Sequence, residues 1–147
     1  MNQKIKRALL IAGGSLLVIQ FFQIDKTNPE VDSSRDFIAM EAPPQQVAEI
    51  MRAACYDCHS HQSEYPWYTR VQPVAWWIRG HIKEGREHLN FSTWGDYAAD
   101  ERSHKLEEFE EVVEEKEMPM SSYTWMHAEA RLSPEQRQSL LAWIASR

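Results

Sequence analysis

A chain of 147 residues has room for one compact domain, and its 43% hydrophobic share, with six tryptophans, can build a core. The formal net charge is -6, and since Lys4, Lys6 and Arg7 all precede the first acidic residue, the remainder is more acidic still. That balance repels nucleic-acid backbones and excludes nucleic acid as a partner; redox or other proteins with basic docking surfaces, or small molecules, fit better.

The first segment has a basic start followed by an apolar run, Ala8 to Ile24, interrupted by Ser15, Gln20 and Gln23. Its length lies between a signal-peptide core and a full membrane span. Bulky residues follow the run where a signal peptidase needs small ones, so residues 1–24 are expected to form an uncleaved single-pass anchor. Lys4, Lys6 and Arg7 then stay in the cytoplasm, and the rest of the chain lies in the periplasm beside the inner membrane. A cleaved signal peptide is the alternative, and either reading takes the cysteines out of the reducing compartment. Residues 25–44 are polar, carry Pro29, Pro43 and Pro44, and lack periodicity; they are expected to be a flexible tether to a domain over 45–147.

Past Pro44, Val47, Ile50, Met51 and Ala54 recur at helical spacing and lead into Cys55. An aromatic-rich stretch follows, in which Pro73 suits a first helical position and Val74, Trp77, Ile78, His81, Ile82, Gly85 and Leu89 share a stripe. Gly80 and Gly85 each cost that helix about 1 kcal/mol relative to alanine, which suggests a bulky neighbour or close helix packing. From about Asp96 to Lys116 a helix is expected, with Leu106, Phe109, Val112 and Val113 buried and a crowd of glutamates in solvent. Ser133, Pro134 and Gln136 spell a capping box ahead of a last helix that buries Leu140, Leu141, Trp143 and Ile144. No strand-like alternation occurs, so the fold class is all-α.

The only cysteines stand in the run Cys55-Tyr56-Asp57-Cys58-His59. A redox dithiol needs a strand–helix setting that this pattern lacks. Zinc needs two further ligands, which histidines alone would have to supply without a close second pair. A disulfide across two residues closes too small a loop to stabilise much. Covalent haem attachment uses the whole motif: both thiols join the porphyrin edge and His59 reaches the iron as the proximal ligand. For the opposite iron face, Met118 is the first expectation, with Met120 and Met126 in the same loop and His81 as the main rival. Arg79 and Arg86 are candidates to pair with haem propionates. Tyr65, Trp67, Tyr68, Trp76 and Trp77 are candidate haem walls, and generic core packing explains them equally well. His61, His88, His104 and His127 are expected at the surface.

The stretches from Cys55 to Trp94 and from Glu117 to Ile144 resemble a bacterial haem-binding domain family of small exported proteins with one Cys-x-x-Cys-His site. The likeness extends from Val47 to Ile144, and the Met118-Pro119 loop ahead of a capped helix resembles the ligand loop of small class I cytochromes c. The resemblance implies one covalent haem c on Cys55, Cys58 and His59 in a cytochrome c-like helical domain. It makes the Met118 loop a natural source of the distal ligand, while the aromatic insert carrying His81 departs from ordinary class I cytochromes. The function expected is a membrane-anchored periplasmic cytochrome that moves single electrons between redox partners. It is more a carrier than an enzyme; a haem peroxidase or a haem-based sensor with an exchangeable sixth iron position is the alternative.

Overall fold

The computed structural model describes residues 2–147, and among them every regular element is helical, as the missing alternation predicted. In chain order these are α1 (Gln3–Ile19), α2 (Phe37–Glu41), α3 (Gln45–Ala54), α4 (Tyr56–His59), α5 (Val74–His88), α6 (Ala99–Glu114), α7 (Ser121–Met126) and α8 (Pro134–Ile144). Short 3-10 turns lie at Ser33–Arg35, Trp67–Arg70, Phe91–Asp96 and Ala128–Ala130.

The apolar spacing read before Cys55 becomes α3, and Val47, Ile50, Met51 and Ala54 are all buried on its inner face. Helix α8 starts on the reciprocal Ser133–Gln136 cap, with Pro134 inside its first turn, and buries Leu140, Trp143 and Ile144. Between them, α6 contributes Phe109 and Val113 and turns its glutamates outward. Pro73 is the N-cap of α5 rather than its first residue, and α6 begins at Ala99, a few residues later than expected.

The largest departure concerns the expected tether. Asp36 caps α2 by accepting from the Ile38 N–H, and Phe37 is fully buried. The Phe37 ring meets Phe91, Trp94 and Trp143 edge-on, with centroids 5.1, 4.7 and 5.8 Å away. Asp36 also accepts from the Tyr56 hydroxyl at 2.9 Å, and Trp94 Nε1 donates to Glu41 at 2.8 Å. Residues 36–41 are therefore held on the domain, with Phe37 in the core and Asp36 and Glu41 bonded to it. A five-residue helix is too short to show a periodicity, which is why the segment reads as polar linker.

Helix α1 buries none of its residues; Leu9, Leu10, Ile11, Leu17 and Val18 are all exposed. Among the described residues no helix is long and apolar enough to cross a membrane. The end of α1 nonetheless touches the domain. Gln20 Nε2 donates to the Gln72 carbonyl at 3.0 Å, and the Gln72 N–H returns a bond to Gln20 Oε1 at 2.9 Å.

Candidate functional site

The five-residue cysteine motif sits where α3 ends and the single turn of α4 begins. Cys55 closes α3 by donating its N–H to the Met51 carbonyl, and its own carbonyl accepts from the N–H groups of Cys58 and His59. That turn is anchored by Tyr56, whose ring stacks on Phe91 at 5.0 Å in the core. With Tyr56 pulled inward, Cys55, Cys58 and His59 are left half-buried, Cys55 against the core and Cys58 and His59 beside the end of α5.

Helix α5 lies against this turn closely enough to demand a glycine. A Cβ on Gly85 would stand 2.8 Å from the Cys58 carbonyl oxygen, whereas one on Gly80 would meet nothing within 4 Å. Of the two helix-interior glycines, only Gly85 is there for a close approach, and its neighbour is the backbone of the cysteine motif.

His59 Nδ1 lies 3.1 Å from the Leu89 carbonyl just beyond α5, so its N–H points to that oxygen and Nε2 carries the lone pair. Burial holds His59 below the usual imidazole range, against the opposing pull of the Leu89 carbonyl, so the ring is neutral at pH 7. A neutral imidazole with one nitrogen fixed by a carbonyl is the state a metal ligand requires. Both cysteines are free thiols. Burial pushes Cys55 up to about 12 and Cys58 up to about 11, with the neighbouring charges of Cys58 and Asp57 adding to the respective rises. Reactive redox dithiols have depressed values, so this environment argues against thiol–disulfide exchange. Among the described residues no cluster of three or more His, Cys, Asp or Glu side chains could hold a metal ion alone, which leaves a zinc site without ligands.

Beside Cys58 opens a cleft of about 70 Å³, walled by Tyr68, Trp77, Ile78, His81, Met120 and Tyr123, with His127 at its edge. Of the proposed haem walls, Tyr68 and Trp77 are here; Trp76 instead donates its indole N–H to the Phe22 carbonyl at 3.0 Å. Met120 lines the cleft and Met118 does not: the Met118 N–H donates to Val112 and its carbonyl accepts from Arg137 at 3.0 Å. His81 also lines the cleft, its ring edge-on to Trp77 at 4.3 Å, and among the described residues no hydrogen bond reaches its nitrogens.

His127, expected at the surface, is instead a part of this wall. Its Nδ1 faces Glu129 at 3.0 Å and its Nε2 faces the Tyr68 hydroxyl at 2.5 Å, while Tyr123 stacks on its ring at 4.2 Å. With Nδ1–H on the carboxylate, Nε2 accepts from Tyr68, so the lone pair is occupied and His127 is no free ligand. Tyr123 in turn donates to Asp57 at 2.8 Å, inside the cysteine motif. This network was hidden in the sequence because its members are 59 and 66 positions apart. His61 is likewise half-buried, 2.8 Å from the Asn90 amide, whereas His88 and His104 are exposed as expected.

The two arginines separate. Arg79 is exposed, while Arg86 donates to the Ser60 carbonyl at 2.7 Å, to Asn28 Oδ1 at 3.1 Å and to Ser63 Oγ at 3.0 Å. Arg86 thus ties the loop after the cysteine motif to the N-terminal segment instead of standing free in solvent.

The donor set fits a covalently held haem: two unpaired thiols one helical turn apart, and an oriented neutral imidazole directly behind. The cleft is smaller than the roughly 300–1,000 Å³ of typical cofactor sites, so a tetrapyrrole requires its wall to yield. Helix α7, which buries none of its residues, forms part of that wall and is tied to Asp57 through Tyr123. A family model described as haem-binding domain matches residues 14–146. No curated protein and no solved structure matches the chain. With that match running over nearly its whole length, the chain belongs to the haem-binding domain family.

Proposed function

We propose that this protein is a c-type cytochrome: one haem bound through Cys55 and Cys58, His59 Nε2 as proximal iron ligand, and single-electron transfer as its work. The observation that carries the reading is the His59 tautomer, with Nδ1 held by Leu89 at 3.1 Å, directly beside two free thiols. When bound, the haem supplies a one-electron couple. The chain's residues hold it, exclude water from it and set its ligands. Gly85 lets α5 press on the motif, and Tyr56 locks the turn into the core. The distal ligand is a thioether of the Met118–Met120 loop; Met120 stands first because it lines the cleft, and Met118 second. Filling both axial positions suits a carrier better than a peroxidase or sensor. The α1 segment anchors the protein to the inner membrane, with the haem domain in the periplasm, and its acidic surface steers basic redox partners.

His81 is a second reading for the distal site, favoured by its place on the cleft wall; its Nδ1 lies 3.9 Å from Glu84 and no hydrogen bond reaches its ring among the described residues. The test is the absorption spectrum of the chain expressed with haem-attachment machinery, for wild type, Met120→Ala, Met118→Ala and His81→Ala. A low-spin ferric spectrum with a weak sulfur-to-iron charge-transfer band, lost only in Met120→Ala, is the expected result. Loss only in Met118→Ala moves the ligand to that residue. A low-spin wild type without the band, turning high-spin in His81→Ala, assigns His81. A high-spin wild type would overturn the carrier reading, and absence of covalent haem would overturn the cytochrome.

A further inference from the structure

We propose that the domain does not swing freely from its anchor but is seated on the bilayer surface by an aromatic face formed by the end of α1 and the start of α5. The proposal rests on the reading of α1 as a lipid-embedded helix and adds a second, separate membrane contact. Three observations carry it.

The first is length. Seventeen residues of α1 span only about 25 Å, short of the roughly 30 Å hydrocarbon core. The helical hydrogen bonding continues past α1, from Phe21 N–H to the Val18 carbonyl and from Phe22 N–H to the Ile19 carbonyl. That extension carries the apolar surface into two phenylalanines, 88% and 62% exposed. The apolar stretch therefore ends not in a polar linker but against the domain itself.

The second is how the chain ends that stretch. A helix terminus in water leaves its last carbonyls to solvent, but near hydrocarbon each must find a partner within the protein. Here the partners are supplied. Gln20 Nε2 donates to the Leu16 carbonyl at 2.9 Å as well as to Gln72, Gln23 Nε2 donates to the Gln20 carbonyl at 2.7 Å, and Trp76 Nε1 donates to the Phe22 carbonyl at 3.0 Å. Gln23 also reaches the Arg70 carbonyl at 3.2 Å. The bonds to Arg70, Gln72 and Trp76 clamp the helix end to that segment.

The third is what surrounds the clamp. Val71, Val74, Trp76 and Trp77 are all exposed on the segment that the clamp holds, and Trp76 reaches Phe22 directly. Tryptophans that keep an apolar ring and a polar N–H at one boundary suit the headgroup level of a bilayer. An apolar stretch of helix from Ala8 to Ile19 with nothing packed on it, joined to this face, names lipid as the occupant of both. Trp77 also walls the cleft beside Cys58, so the seat brings the cleft mouth to the membrane surface.

The test uses the full haem-loaded chain reconstituted in phosphatidylcholine vesicles, with acyl chains either brominated or not. Tryptophan emission is compared between the two lipids for wild type, the Trp76→Phe and Trp77→Phe double variant, and Trp125→Phe. Phenylalanine keeps the apolar face but removes the Trp76 Nε1–Phe22 bond; the bonds of Gln20 to Gln72 and of Gln23 to Arg70 remain, so the double variant removes the reporters and keeps the rest of the seat. The expected result is quenching of the wild type by brominated lipid, an emission ratio close to unity in the double variant, and wild-type quenching in Trp125→Phe. If the chain floats with the vesicles but the double variant is quenched like the wild type, the seat is wrong and the anchor stands. Flotation without any quenching has the same meaning and points to a protein partner on this face. If the chain does not float with vesicles, the anchor reading fails and the seat with it.

Discussion

At the scale of single residues, the site is organised by contacts too close to tolerate change. Gly85 and Gly80 lie on the same helix, and propensity alone treats them alike. Alanine at Gly80 meets open space and is expected to raise stability by up to about 1 kcal/mol. Alanine at Gly85 drives a methyl group into the Cys58 carbonyl, and is expected to cost about 1–3 kcal/mol. Denaturant unfolding in detergent measures both, and a shifted haem spectrum in Gly85→Ala alone would trace the strain to the motif. Equal effects of the two substitutions would sink the account. Tyr56 is a further single-residue lock. Replacing it with phenylalanine leaves Asp36 buried without its 2.9 Å donor, at an expected cost of about 1–3 kcal/mol in the same unfolding measurement.

At the scale of elements, the decisive piece is α2, which the sequence presents as part of a linker. Its one buried side chain touches three aromatic rings, and Phe37→Ala is expected to destabilise by about 3–5 kcal/mol. A true tether residue would change stability by almost nothing, so a thermal melt of this variant separates the two descriptions. Helices α3 and α8 were legible beforehand because each is long enough for its apolar face to repeat and each carries its own boundary signal. The short α4 and α7 show neither. Their conformation follows from what they pack on: Tyr56 on Phe91 for the one, Tyr123 on His127 and Asp57 for the other.

At the scale of the whole molecule, one buried and one half-buried tyrosine make the fold sensitive to base. Burial raises the hydroxyl of Tyr123 far above its ordinary value, with the Asp57 charge adding to it, and Tyr56 is raised likewise beside Asp36. In the unfolded chain both ionise near the reference of about 10. Above that pH the unfolded state holds fewer protons than the folded one, so stability falls as pH rises. Unfolding midpoints measured upward from pH 9 are expected to drop past about pH 10, and less steeply in Tyr123→Phe. A midpoint flat through that range would show these hydroxyls to be solvated.

The sequence by itself determined the all-α class, the starts of α3 and α8 and the residues of the cysteine motif, because periodicity, caps and covalent spacing are local properties written within a few turns. It also marked His59 as the candidate ligand, since that expectation rests on adjacency to Cys58. Only the tertiary structure decided that Leu89 orients His59, that Gly85 rather than Gly80 is the close-packed glycine, and that Met120, His81 and His127 share a wall with Cys58. It alone placed Phe37 in the core and joined Gln20 to Gln72 across 52 positions. Those relations depend on which distant surfaces exclude water together, and no local pattern encodes that.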